Sequence, residues 1–241
     1  MDKSRLVVAT LTWARNQEEE ALLRKSLAEL AKLEIPVYIT DAGSGTSFLN
    51  FLGSYSHFII NSPRKGVWMQ AKNSLFEAYQ ANTPFIMYTE PDKTDFFVQS
   101  LPTMLNSIVE YETTGIILAS RSSKAFASFP SFQQMTETTI NNCCAELIGK
   151  RVDYTYGPFL LNKKLLPFIE HLPENIGWGW RPYAFAIAAR LGLSIESFTG
   201  DFCCPPLQAS DDPSERIYRM RQLSQNIEGL TRSTSFALPQ L

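Results

Sequence analysis

Histidine is almost missing from this sequence: His57 and His171 are the only two among 241 residues. With no G-x-S-x-G turn anywhere, a Ser-His-acid hydrolase is disfavoured. Apolar runs are short, and none approaches the roughly 20 residues that span a bilayer as a helix. The start, Met1-Asp2-Lys3-Ser4-Arg5, lacks the basic region, apolar segment and small-residue cleavage site of a signal peptide. The chain therefore reads as cytoplasmic, with no transmembrane segment. Its four cysteines stand as adjacent pairs, Cys143-Cys144 and Cys203-Cys204, which is not the C-x(2-4)-C spacing of a zinc site. They read as reduced thiols packed in the interior. A formal net charge of -2 gives no reason to invoke nucleic acid, so any anion site must be a local cluster.

What is present is an alternation of strand and helix. Arg5–Thr12 is a β-branched run suited to a buried strand. Asn16 is placed to cap the next helix, with Glu19 completing a box-like arrangement. Leu22, Leu23, Leu27, Leu30 and Ala31 share one face of that helix. Pro36 ends it, and Val37–Thr40 is the second strand. A flexible turn at Asp41-Ala42-Gly43-Ser44-Gly45 leads into a short helix, a strand at Phe58–Ile60, a helix at 67–81 and a strand at Phe85–Tyr88. This βαβαβαβ order predicts an α/β fold, a mainly parallel sheet flanked by helices. Beyond residue 96 we expect helices at 103–111, 136–148 and 182–191 and strands at 116–119, 154–161 and 194–198. A charged helix follows at 212–229, then a loose tail from 231 to 241. The expected organisation is one domain, with a nucleotide-binding half at 1–95 and an acceptor or closing half at 96–230.

Ligands of open α/β sheets sit beyond the carboxyl ends of the strands. Three polar segments occupy such ends: Thr10–Asn16, Asp41–Thr46 and Thr89–Asp95. In Glu90-Pro91-Asp92, two carboxylates one residue apart can converge on one cation, because alternate side chains of an extended backbone share a side. Hard Mg²⁺ or Mn²⁺ suits such oxygens.

The order of these motifs resembles the N-terminal half of the GT-A glycosyltransferases, the family 2-like group, over Leu6 to Asp95. Thr12-Trp13-Ala14-Arg15-Asn16 stands for a Pro-Thr-x-Asn-like turn. Thr40-Asp41-Ala42-Gly43-Ser44 is similar to an Asp-Asp-Gly-Ser signature. Gly66 with Ala71-Lys72-Asn73 approximates a Gly-x-x-x-Ala-x-Asn segment, and Glu90-Pro91-Asp92 matches Asp-x-Asp. The resemblance implies a Rossmann-like nucleotide-diphospho-sugar transferase fold and metal-dependent sugar transfer from a UDP- or GDP-linked donor. By that resemblance Asp41 would accept from the base, and Glu90 and Asp92 would hold the metal. Thr12 and Arg15 would lie beside the nucleotide, and Lys72 would contact phosphate or ribose.

The second half is similar in outline only. Gly115–Arg121 looks like the strand that leads into the acceptor region, with Arg121 facing substrate. Gly177-Trp178-Gly179-Trp180 looks like a Gly-x-Gly segment that closes over the sugar, the glycines on either side of Trp178 letting it move, with Trp178 and Trp180 as stacking platforms. Inverting members carry an acidic base there, whereas Trp180-Arg181-Pro182 stands in this chain. Glu174 and Asp201 are the available catalytic carboxylates. Their displacement leaves open a retaining enzyme, or a catalytically silent module that binds a nucleotide-sugar or a partner. A nucleotidyltransferase is disfavoured because Leu11–Asn16 holds no glycine to cradle a triphosphate.

Overall fold

The computed structural model describes residues 1–109 and 111–238. Strand β1 (Leu6–Thr12) leads to α1 (Gln17–Ala31), β2 (Val37–Asp41), α2 (Thr46–Gly53), β3 (Phe58–Asn61), α3 (Val67–Tyr79) and β4 (Phe85–Thr89). A π-helical turn, Phe96–Ser100, runs into α4 (Leu101–Ser107). Then come β5 (Thr114–Arg121), α5 (Ser123–Phe126), α6 (Ser131–Ile148), β6 (Phe159–Asn162) and α7 (Leu166–Ile169). The chain continues through a 3-10 segment at Glu174–Gly179 to α8 (Trp180–Arg190), β7 (Ser194–Gly200) and α9 (Pro213–Ser235).

These elements form two compact units: residues 1–111 with 158–166, and residues 112–157 with 167–241. The π-turn and α4 fall within the first unit, which runs to Tyr111. A strand from the later sequence also returns to it. In unit 1 the strand order is β3-β2-β1-β4-β6. The first four strands are parallel and β6 is antiparallel to β4. Unit 2 contains the parallel pair β5 and β7. The α/β reading with a mainly parallel sheet is what the chain adopts.

Local chemistry explains the boundaries. Asn16 caps α1 by accepting from the Glu19 amide at 2.9 Å. The box closes one residue earlier than expected, since the Glu19 carboxylate takes the Arg15 amide rather than that of Asn16. Leu23, Leu27, Leu30 and Ala31 are buried against the sheet, as their spacing predicts. The expected strand at 154–161 shrinks to Phe159–Asn162, because Gly157 takes a positive φ of 132° that breaks extended pairing. At the other end, α9 does not fray at residue 231. It continues to Ser235, with Leu230 and Ser233 buried. The Arg190 guanidinium donates to the Ser233 carbonyl, and Phe236 stacks on His171. Residues 239–241 of the expected tail lie outside the described residues. Among the described residues, no helix is long and apolar enough to cross a membrane.

Candidate functional site

In unit 1 the strand order reverses between β1 and β4, and in open α/β sheets ligands sit beyond the carboxyl ends of the strands at such a reversal. The residues at those ends are Thr12, Asp41 and the turn beyond Thr89. The geometry builds this edge in two parts, a rigid polar staple and an acidic turn.

The staple centres on Asp41, which is 3% exposed. Its Oδ1 accepts from the amides of Gly43 at 2.7 Å and Ser44 at 2.6 Å. Its Oδ2 accepts from the hydroxyls of Thr12 at 2.8 Å and Ser44 at 2.6 Å. A carboxylate offers about four acceptor positions, and these four donors fill them. The Ser44 hydroxyl also accepts from the Ala14 amide at 2.7 Å. Asp41 and Thr12 therefore bind each other, where the resemblance had both facing the nucleotide. Behind them Gln70, almost fully buried on α3, donates to the carbonyls of Thr12 at 2.9 Å and Thr40 at 3.1 Å. Asn73 donates to the Thr40 hydroxyl and the Ser62 carbonyl. The sequence reading quoted Asn73 for its motif and gave Gln70 no role. Its signal is weak, a polar residue that shares the mostly apolar buried face of α3 with Ser74.

Arg15 is engaged too. Its guanidinium pairs with Glu19 at 2.5 Å and lies 5.4 Å over the ring of Trp13. Trp13 is 49% exposed. An exposed tryptophan directly after a buried strand is a feature the sequence displays, yet the sequence reading assigned it no role. Lys72 is half-buried on α3, its ammonium 5.9 Å from the Phe76 ring.

The acidic turn follows β4. Glu90 is 9% exposed and Asp92 half-buried, with the Lys93 ammonium 3.2 Å from the Asp92 carboxylate. Among the described residues no group of three or more His, Cys, Asp or Glu side chains gathers to hold a metal. Two carboxylates with no third protein ligand fit Mg²⁺ or Mn²⁺, ions that keep waters and take substrate phosphates as further ligands. The donor set does not fit zinc, which is held by three or four protein ligands.

In unit 2, two of the residues expected to face substrate are buried. Arg121 is 5% exposed and fully engaged. It bonds Asp153 and Glu137, each at 2.6 Å, and the Thr155 hydroxyl at 2.7 Å. Its guanidinium lies 4.6 and 4.5 Å from the rings of Phe126 and Phe129. The facing charge holds the Asp153 carboxyl down to about 2 in spite of burial, and the two carboxylates push the Arg121 guanidinium up. Arg121 is a structural ion cluster with no face left for substrate. Trp180 is 0% exposed, the first residue of α8 and a core anchor. Trp178 is half-buried, its indole N–H donating to the Tyr218 hydroxyl at 3.0 Å.

The glycines flanking Trp178 were expected to let the segment move. Instead they let it pack. A Cβ on Gly179 would collide with the Gln225 carbonyl, and one on Gly229 with the Gly179 carbonyl. Glu174 and Asp201 are both exposed. Asp201 accepts from the Ser122 hydroxyl at 2.5 Å, with the Lys124 ammonium at 4.0 Å. The cysteines are all free thiols, but Cys203 is exposed rather than packed inside. Burial pushes Cys144 up to about 12.

The architecture belongs to the GT-A type, the Rossmann-like fold of nucleotide-diphospho-sugar transferases. Within that class the chain is similar to glucosyl-3-phosphoglycerate synthase from Mycobacterium tuberculosis crystallised with uridine diphosphate. The TM-score is 0.63 at 14% identity, over 96% of this chain and 81% of that one. The same enzyme with Mn²⁺, UDP-glucose and phosphoglyceric acid gives 0.63 at 14%, covering 96% and 80%. Mannosyl-3-phosphoglycerate synthase from Rubrobacter xylanophilus gives 0.61 at 12%, covering 94% and 73%. No family model and no curated protein matches the sequence.

Proposed function

We propose that this protein is a metal-dependent glycosyltransferase that moves a sugar from a nucleoside-diphosphate donor, with UDP as the nucleotide. The observation that carries the proposal is the Glu90-Pro91-Asp92 turn at the carboxyl end of β4, beside the reversal of strand order in a GT-A fold. Glu90 and Asp92 would hold Mn²⁺ or Mg²⁺. When bound, such a cation neutralises charge on a diphosphate leaving group. The similar glucosyl-3-phosphoglycerate synthase structures, which hold Mn²⁺ with UDP or UDP-glucose, support the choice of metal and base.

The chain's own residues do the rest. Asp41, Ser44, Thr12 and Gln70 fix the ends of β1 and β2 against each other. Trp13 offers an exposed ring on which a base can stack, a contact worth about 1–3 kcal/mol in other nucleotide sites. Lys72 supplies positive charge for phosphate. In unit 2, Asp201, whose carboxylate accepts from Ser122, is the one we assign to the acceptor; Glu174 is exposed. A second reading, binding without turnover, draws on the burial of Arg121 and Trp180, which leaves unit 2 with fewer groups for substrate than the sequence promised.

Incubation with UDP-glucose and Mn²⁺, followed by release of UDP, tests the assignment. Slow hydrolysis that accelerates with phosphorylated acceptors is expected, with loss in Asp92→Asn. Tight binding with no UDP release under any acceptor establishes the silent module instead.

A further inference from the structure

A cavity lies in unit 1, lined by none of the residues at the strand ends. It measures about 370 Å³, within the range of about 300–1,000 Å³ typical of small-molecule pockets. Its floor is apolar and buried: Leu33, Phe97 and Leu105. Exposed Val98 and Pro102 form a wall. The charged rim consists of Lys3, Lys32 and Glu29. Glu29 is already committed to Lys32, at 2.6 Å. Lys3 donates to the Leu33 carbonyl at 3.0 Å, and an ammonium has three donors, so one is used. The rim thus carries a net positive charge above an apolar floor.

One wall of this cavity is unusual. Phe97 and Val98 belong to the π-helical turn Phe96–Ser100. Such turns are rare, and they are frequent at functional sites. Here the turn changes hydrogen-bond register: the Phe97 amide bonds the Lys93 carbonyl four residues back, while the Leu101 amide bonds the Phe96 carbonyl five back. The helical segment begins at Thr94, two residues beyond Asp92, and its Phe97 amide bonds the Lys93 carbonyl. The cavity wall is thus joined to the acidic turn through Lys93. A ligand wedged against Phe97 and Val98 would bias the hydrogen-bond register of this turn.

We propose that this cavity is a regulatory site for a small amphiphilic anion, an aromatic or branched apolar body with one carboxylate or sulfonate head on Lys3. Through the π-turn it acts on the acidic turn. The binding claim is independent of the glycosyltransferase reading; only the consequence for activity rests on it.

The probe is 8-anilinonaphthalene-1-sulfonate, titrated into the full chain by fluorescence, with unfolding curves recorded for every variant. Saturable one-site binding is expected. Val98→Trp, which fills the cavity from an exposed position, should weaken it at least tenfold. Lys3→Glu should weaken it about fivefold or more, and Lys3→Arg should leave it unchanged. Equal binding by all four proteins overturns the site. Coupling is read without nucleotide or metal, by amide hydrogen exchange with and without the probe. A change in exchange at 92–101 that is absent in Val98→Trp supports the register mechanism. Protection confined to the rim around Lys3 and Leu33 overturns it.

Discussion

At the scale of single residues, burial separates the groups that hold the structure from those left for ligand. Asp41 is the clearest case, a carboxylate whose acceptors are filled by Thr12, Gly43 and Ser44. Asp41→Ala strands those donors, so we expect a loss of about 2–4 kcal/mol of stability by denaturant unfolding, with the ranking of nucleotides unchanged. A change in base preference at unaltered stability would restore Asp41 as the base reader. Trp13→Ala should do the reverse, weakening UDP about five- to a hundredfold by calorimetry with the unfolding midpoint unmoved. Arg121 sets the acid limit. Removing it in Arg121→Leu leaves Glu137 and Asp153 buried without a counter-charge, at about 3–5 kcal/mol. The Asp153 carboxyl sits at about 2 in the folded protein against an ordinary 3.8. Its stabilisation is therefore complete above pH 3.8 and fades as pH falls toward 2, about 2 kcal/mol in all. In Arg121→Leu the acid unfolding midpoint should move to higher pH. A midpoint that stays put would show that the cluster contributes little.

At the scale of elements, the two glycines flanking Trp178 read as a hinge in the sequence and prove to be a crossing. The segment Glu174–Gly179 and helix α9 approach backbone to backbone at Gly179 and Gly229, with Gln225 bonding the Trp178 amide at 3.1 Å. Gly229→Ala should destabilise the protein by more than the usual helical gain of alanine, because a Cβ there meets the Gly179 carbonyl. Equal or greater stability by thermal unfolding would mean that the segment is free to move after all. The first four strands, α1 and α3 were legible because apolar spacing alone marks a buried face, and Asn16 and Pro36 punctuate it. The π-turn was not legible: Phe96-Phe97-Val98 reads equally as strand or helix, and an inserted register leaves no trace in residue type. Nor was the end of α9, since the chain past Thr231 turns polar while packing still holds Leu230 and Ser233. At the site, the motifs put Thr12, Asp41 and Glu90 at strand ends, where they stand, but residue type could not reveal that Thr12 and Asp41 bind each other or that Arg121 has two carboxylate partners. Those are facts of tertiary distance.

At the scale of the whole molecule, the account assigns nucleotide and metal to unit 1, which presents the reversal of strand order, the acidic turn and the exposed indole. Its central claim is that a nucleoside diphosphate binds there only with a divalent cation held by the Glu90-Pro91-Asp92 turn. Isothermal titration of UDP into the wild type and Asp92→Asn, each in Mn²⁺ and in EDTA, tests this most directly. The account predicts binding in one of the four titrations, wild type with Mn²⁺, and a loss of at least tenfold in the other three. Equal affinity in all four would contradict it.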